Sequence, residues 1–232
     1  MLTGQQDPYA AARGRMVEEQ LRPRGIVSKK VLDVMREMPR HLFISKEHRD
    51  EAYDDGALPS LEGQTISQPY MVAAMTQELR LEPGQRVLEL GTGTGYQTAI
   101  LGRLVAGDGG SVWTIERAAA LTALAQRMLG ALAITNVHYA VGDGTAGWPA
   151  ELWDRAGLVE FDRILVTAGA PDIPDPLLRQ LADGGMMVVP LGGREIQTLT
   201  RVEKSQGHLR KTALFDCRFV PLVGEYGWGN GV

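Results

Sequence analysis

The chain has 232 residues, 44% of them hydrophobic, enough to bury a substantial core and near the upper end of what one domain holds. Its 28 acidic against 24 basic side chains leave a net charge of −4, which excludes an overall electrostatic footprint for nucleic acid; the locally basic stretch from Arg13 to Arg49 reads as a solvated helical face. A single cysteine, Cys217, excludes an intramolecular disulfide, and no run of about 18 apolar residues is present to span a bilayer, so a soluble cytoplasmic protein is expected.

The N-terminus, MLTGQQDPYAAARGR, lacks the apolar core of a secretion signal. Asp7 and Pro8 read as the N-cap and first residue of a helix in which Met16, Val17 and Leu21 share one face, ending before Pro23. A second helix is expected from Ser28, with Val31, Leu32, Met35 and Met38 at helical spacing, until Pro39 stops it. From Asp50 to Gln64 the chain is polar, acidic and glycine-bearing and reads as a loop. Met71 to Leu79 follow as an apolar helix.

After Gly84 short β-rich runs alternate with helical ones. The expected strands are RVLEL, SVWTI, NVHYA, FDRILVT and GMMVVP, with helices around Gln97 to Val105, Ala118 to Leu132 and Pro176 to Ala182. Alternation of this kind predicts an α/β fold, a doubly wound Rossmann-like and mostly parallel sheet with helices on both faces. From Ile196 to Val220 two β-rich runs with no long helix between them predict antiparallel strands near the C-terminus. Residues 1–62 are expected as a helical extension packing on a catalytic domain at 63–232. Trp113, Trp148 and Trp153 read as packing residues, with stacking on a base an alternative for Trp148. His41, His48, His138 and His208 are scattered, without Cys or carboxylate neighbours at ligand spacing, so no metal is expected.

The most informative segment is VLELGTGTGYQ at 87–97, where a strand runs into Gly91, Gly93 and Gly95 and then a helix. Glycines there allow a tight turn and close approach of a ligand to the helix N-terminus. A dinucleotide fingerprint wants glycine or alanine at position 96, which is Tyr96. Glu89, placed at the mouth of the loop, repels a pyrophosphate but favours the ammonium or sulfonium of S-adenosyl-L-methionine. One strand-helix-strand unit further on, Glu116 stands where an acid accepts both ribose hydroxyls, its other reading being a solvated strand end. Asp143, between Gly142 and Gly144, suits an adenine amino group or a simple turn.

With GQTISQPYMVAAM at 63–75, GDGTAGWP at 142–149, FDRILVTAGAPDIPDPLLRQLADGGMMVVPLGG at 161–193 and RFVPLVG at 218–224, the chain resembles the protein-L-isoaspartate O-methyltransferase family of class I methyltransferases. TISQPY and VTAGAP are the family-specific segments. Gly169 departs from the VTAAAP common in the family. The resemblance implies methyl transfer from S-adenosyl-L-methionine to the α-carboxylate of L-isoaspartyl residues in age-damaged proteins, S-adenosyl-L-homocysteine as product, and neither nucleic acid, membrane nor metal as partner. It implies Ser67 as the catalytic residue and Glu89, Gly91, Thr92, Gly93, Gly95, Glu116, Arg117, Asp143 and Gly144 around the cofactor. The substrate side would be Thr65, Ile66, Ser67, Thr167, Ala168, Val220, Pro221 and Leu222. Residues before Arg13 and after Val223 carry no family signal.

The chemistry is consistent with that set. The free group of an isoaspartyl residue is chemically an α-carboxyl, of pKa roughly 3.3 to 3.7, and is already ionised at neutral pH. No general base is needed, and the rate is expected to stay level from about pH 5 through neutrality. Ser67 lies just before Pro69 and reads equally as the N-cap of the following helix. The competing functions are a methyltransferase acting on RNA or a small molecule, disfavoured by net acidity and by TISQPY and VTAGAP, and a non-catalytic cofactor-fold sensor, disfavoured by the intact Glu89, Glu116, Asp143 and Ser67.

Overall fold

The computed structural model describes residues 7–152 and 160–229, so Trp153 lies outside the described residues. At the N-terminus Asp7 does hold the first turn, its Oδ1 accepting from the Tyr9 N–H at 2.9 Å, but the helix itself, α1 (Ala10–Arg15), starts later than expected. From Met16 to Leu21 the turns widen to a π-helix, which puts Met16, Val17 and Leu21 out of contact with water. Pro23 then sits inside a short 3-10 turn, Arg22–Arg24. Helix α2 (Lys29–Glu37) follows Ser28 as read and ends before Pro39.

The stretch read as a polar loop contains a small antiparallel hairpin, β1 (Leu58–Pro59) and β2 (Thr65–Ile66), with Leu58 opposite Ile66. Both facing side chains are buried, so the two apolar residues in an otherwise polar stretch pin it to the body. Helix α3 (Pro69–Leu79) starts directly after the hairpin.

Strands β3 (Arg86–Leu90), β4 (Ser111–Glu116), β5 (Val137–Val141), β6 (Phe161–Val166), β7 (Leu181–Gly192), β8 (Gln197–Ser205) and β9 (His208–Cys217) form one sheet of order β5-β4-β3-β6-β7-β8-β9. The pairs from β5 to β7 are parallel, and β8 is antiparallel to both its neighbours, as the helix-free tail predicted. From β3 the chain moves outward to β4 and β5, then returns to β6 on the other side of β3. The loops leaving β3 and β6 therefore diverge, and such a reversal opens a crevice at the carboxyl ends of the strands.

Alternation of side chains sorts the sheet into two cores. Val87, Val112, Leu165, Val188 and Leu199 point to α3 and to α4 (Tyr96–Val105), meeting Met75, Leu79, Leu101 and Val105. Leu88, Trp113, Ile164 and Met187 point the other way, toward α6 (Asp175–Gln180) through Leu177. Helix α5 (Ala119–Ala131) joins β4 to β5. Helix α6 stops at Gln180, short of the expected Ala182, because Leu181 is taken into register opposite Phe161 and the Leu178 and Leu181 carbonyls accept from the Lys204 ammonium at 3.0 and 2.6 Å. Pairing to neighbouring strands overrides helical propensity there. Trp113 and Trp148 pack in the second core.

The N-terminal helices form a third cluster against the outer side of α4, where Val31, Leu32 and Met35 meet Tyr96, Ala99 and Ile100. They pack on the helix layer formed by α3 and α4. Met35 is fully buried and its sulfur receives the Tyr96 hydroxyl at 3.7 Å. Met35→Ala is therefore expected to cost about 2 to 5 kcal/mol. Denaturant unfolding should remain a single transition with a lowered midpoint. A separate early transition for the N-terminal part would contradict the shared core.

Candidate active site

A cavity of about 790 Å³ opens at the carboxyl ends of β3 and β6, where the reversal of strand order placed a crevice. The glycine loop forms one wall. Gly91, Gly93 and Gly95 all have positive φ, at 94°, 54° and 95°, and Gly95 is the N-cap of α4. This is the left-handed backbone that glycine adopts without a Cβ penalty. Gly91 and Gly93 line the cavity.

Glu116 ends β4 at the cavity wall, with Arg117 next to it. Its Oε2 accepts from the Gly93 N–H and its Oε1 from the Ala118 N–H, both at 3.0 Å. The carboxylate is thus locked to the glycine loop, yet each oxygen keeps a free acceptor position. Gly142 and Gly144 line the cavity beyond it, while Asp143 turns its side chain away. The Asp143 Oδ1 accepts from the Thr145 N–H at 2.9 Å and hydroxyl at 2.7 Å, and Oδ2 from the Glu225 N–H at 2.7 Å. Burial acts to raise its pKa, but these hydrogen bonds outweigh burial and hold it below the usual aspartate value. The turn reading of Asp143 is therefore realised, through an N-cap on Gly144–Ala146.

Glu89 corrects the sequence reading. It is fully buried beneath the loop instead of standing at its mouth. Alternation along β3 directs it to the α4 face, where Oε2 accepts from the Thr98 hydroxyl at 2.5 Å and the Thr114 hydroxyl at 2.7 Å. The Thr92 hydroxyl pairs with Thr114 at 2.6 Å, so helix, strand and loop meet on one carboxylate. Oε1 has no partner. Burial pushes the Glu89 pKa up to about 7, the two threonines offsetting part of the effect and Glu116 adding to it. The level pH behaviour expected from sequence overlooked this group.

The other wall is built by β2 and the loops after β6 and β9. Thr65 and Ser67 line the cavity together with Thr167, Ala168, Val220, Pro221 and Leu222. Ile66 and Thr92 line an adjoining hollow of about 50 Å³ that also includes Ser67. The N-cap of α3 is Gln68, without a side-chain cap, so Ser67 is not the helix cap. The Thr167 hydroxyl donates to the Leu90 carbonyl at 2.8 Å, tying β6 to the start of the glycine loop. Gly169, the departure in VTAGAP, gives room to a buried glutamine: a Cβ there would lie 2.8 Å from Gln197 Cδ. Gln197 Oε1 accepts from the Phe219 N–H at 2.8 Å and so holds the segment that leads into Val220–Leu222.

Sequence reasoning missed the outer rim. Arg24 stacks 3.5 Å above the Tyr70 ring centroid and bonds both Asp55 oxygens, at 3.1 and 2.9 Å; all three residues line the cavity, as do Phe215 and Arg218. Arg24 and Arg40 both belong to the stretch read as a solvated face. Arg40 is fully buried, donating from Nε to the Ala52 carbonyl at 2.8 Å. Both lie in short 3-10 turns outside the two helices, where helical periodicity gives no burial signal. Cys217 lines the cavity but is buried, and burial pushes its thiol up to about 11. Trp148 is buried in the core, with its backbone N–H and carbonyl held by Gln180, and does not line the cavity. Among the described residues no group of three or more His, Cys, Asp or Glu is placed to hold a metal, and no helix is long and apolar enough to cross a membrane.

Two solved structures have the same architecture. A protein-L-isoaspartate O-methyltransferase superposes with a TM-score of 0.80 at 28% identity, over 94% of this chain and 67% of its own. A Plasmodium falciparum protein described as a protein-L-isoaspartate O-methyltransferase, in complex with S-adenosyl-L-homocysteine, gives 0.77 at 26% identity, over 90% of this chain and 96% of its own. Among sequences, a protein-L-isoaspartate O-methyltransferase of Syntrophus aciditrophicus is 48% identical over 97% of this chain and 99% of its own. One of Trichlorobacter lovleyi is 50% identical over 95% and 97%. The sequence pattern of the family Protein-L-isoaspartate(D-aspartate) O-methyltransferase matches residues 12–227. On fold, cavity and near-full-length identity together, the chain belongs to the protein-L-isoaspartate O-methyltransferase family.

Proposed function

We propose that this cavity transfers the methyl group of S-adenosyl-L-methionine to the free α-carboxylate of L-isoaspartyl residues in age-damaged proteins and peptides, releasing S-adenosyl-L-homocysteine and starting repair. The observation that carries the reading is the meeting of two walls in one cavity: a glycine loop braced by Glu116, and the β2 turn bearing Ser67. The family's methyl donor fits the first wall. Glu116 keeps acceptor positions for a diol, and Gly142 and Gly144 put backbone without side chains at the cavity wall, where a flat base fits. Arg117 flanks the same end. Glu89 and Gly95 support the loop from beneath, while Thr92 and Ile66 shape the adjoining hollow.

The donor supplies an electrophilic sulfonium methyl. A carboxylate oxygen forms the new O–C bond as the C–S bond breaks, and the bonding pair goes to sulfur, which becomes a neutral thioether. No proton moves, so the chain's part is alignment and exclusion of water. Ser67 has no side-chain role in the α3 cap and lines both hollows; its hydroxyl donates to the carboxylate and holds it in line. Thr65, Thr167, Ala168 and Val220–Leu222 form the trough for the peptide backbone. Nucleic acid, membranes and metals have no part in this reading, in keeping with the net charge of −4. The activity belongs to the cytoplasm, where a lone buried cysteine stays reduced.

The reading is tested by methyl transfer from labelled S-adenosyl-L-methionine to paired isoaspartyl and aspartyl peptides. Base-labile label on the isoaspartyl peptide alone is expected, and equal labelling of both would overturn it.

Ser67→Ala should remove one charge-assisted hydrogen bond worth roughly 1.5 to 3 kcal/mol, lowering kcat/KM about ten- to a hundredfold. Melting temperature and cofactor affinity should stay close to wild type. A stability loss with unchanged kcat/KM would mean that Ser67 only shapes the turn.

Glu89 gives a pH prediction. Its carboxyl keeps its proton in the native state up to about 7, whereas the unfolded chain loses it near 4.5, so the native state binds more protons between those values. Stability from this residue is full below pH 4.5 and falls as pH rises toward 7, by on the order of 3 kcal/mol. Urea unfolding of wild type and Glu89→Gln at pH 5 and pH 8 should show the variant gaining on wild type at the higher pH. A pH-independent difference would show that Glu89 is ionised throughout.

A further inference from the structure

The segment after Val223 was read from the sequence as carrying no family signal, but the family pattern reaches residue 227, and the segment is among the most closely tied parts of the site. Beyond Leu222 the chain folds into a loop closed on itself, with the Gly224 N–H on the Trp228 carbonyl at 3.1 Å and the Trp228 N–H on the Leu222 carbonyl at 2.7 Å. One side of this loop sits on the turn after β5. The Glu225 N–H donates to Asp143 Oδ2 at 2.7 Å and the Tyr226 N–H to the Thr145 hydroxyl oxygen at 3.1 Å. The opposite side is fixed to the loop after β6, where the Trp228 indole N–H donates to the Gly169 carbonyl at 3.0 Å under the Arg194 guanidinium. A Cβ at position 224 would lie 2.1 Å from Asp143 Oδ1, so the chain reaches the carboxylate only as glycine. The loop therefore bridges the turn after β5 and the loop after β6, and its root, Val223, lines the cavity together with Gly142 and Gly144.

Asp143 has about four acceptor positions, of which the protein fills three. The loop therefore orients the carboxylate onto the turn rather than into the cavity. We propose that Gly224–Trp228 is a latch that sets how tightly the adenine end of the cofactor is retained, by fixing the Gly142–Gly144 turn through Asp143 and seating Val223 at the cavity wall, without acting on the methyl-accepting carboxylate. The proposal rests on the reading above that the base lies beside Gly142–Gly144.

The test compares the full chain, Trp228→Phe, which keeps a ring but loses the bond to Gly169, and a chain ending at Val223. Equilibrium binding and dissociation rates are measured for S-adenosyl-L-homocysteine and for adenosine, and kcat and peptide KM at saturating S-adenosyl-L-methionine. Truncation should weaken both ligands by a similar factor, about tenfold or more, mainly through faster dissociation, and Trp228→Phe should do so by a few fold. In Trp228→Phe, which keeps the backbone bond to Leu222, peptide KM and kcat should change less than twofold. Unchanged affinity for both ligands in Trp228→Phe and in a folded truncated chain would overturn the latch, as would a loss confined to peptide KM. If truncation prevents folding, unchanged adenosine dissociation in Trp228→Phe is sufficient to reject it. Failure of the full chain to bind either ligand would instead overturn the reading of the cavity, and the latch with it.

Discussion

Everything at the site depends on one carboxylate that never reaches it. Glu89 lies at the bottom of the glycine loop with no exposure, and the hydroxyls of Thr98 from α4 and Thr114 from β4 converge on its Oε2. Thr114 in turn holds Thr92 in the loop. Three elements that alternation alone would leave merely adjacent are thereby fixed in relative height, and the loop backbone presents its N–H groups in a set direction. Glu116 completes the brace from above by accepting from the Gly93 N–H. A buried carboxyl with an unsatisfied oxygen is costly. Such strain tends to survive where it holds a functional backbone in place.

The opposite wall is organised by a different device. Gln197, nearly inaccessible at 2% exposure, uses the room left by Gly169 to reach the Phe219 N–H, and the Val220–Leu222 segment then pairs with Gly169 on both sides. The departure at Gly169 and the buried glutamine thus form one local solution. The peptide trough is set by hydrogen bonds between chain segments rather than by the side chains that line it.

How much of this was legible in the sequence follows from the range of the interactions involved. The five parallel strands and the antiparallel tail were readable because β-branched runs and helical spacing are local signals, and the same holds for the glycine loop and TISQPY. The β1–β2 hairpin was not, since two apolar residues in a polar stretch acquire meaning only from what they pack against. Helix α6 was read two residues too long because Leu181 is claimed by β6, a partner twenty residues earlier in the chain. Glu89 was assigned the right loop and the wrong side of it: period-two alternation gives its face, but only α4 in place shows that face to be closed. Asp143 illustrates the same limit, its partner Glu225 being some eighty residues away.

The packing of α2 on α4 has a consequence for how the chain is made. Met35 meets Tyr96, 61 residues later, and α4 supplies one side of the cover over the apolar stripe of α2, the rest coming from α1, the Met16–Leu21 turn and α3. A nascent chain therefore emerges from the ribosome with Val31, Leu32 and Met35 only partly covered, and they stay so until α4 has been synthesised. At about 5 to 20 residues per second this leaves the stripe open for several seconds, long enough for chaperones or other nascent chains to engage it. The glycine loop at the start of α4 and the shield for the N-terminal helices thus become available at the same moment of synthesis.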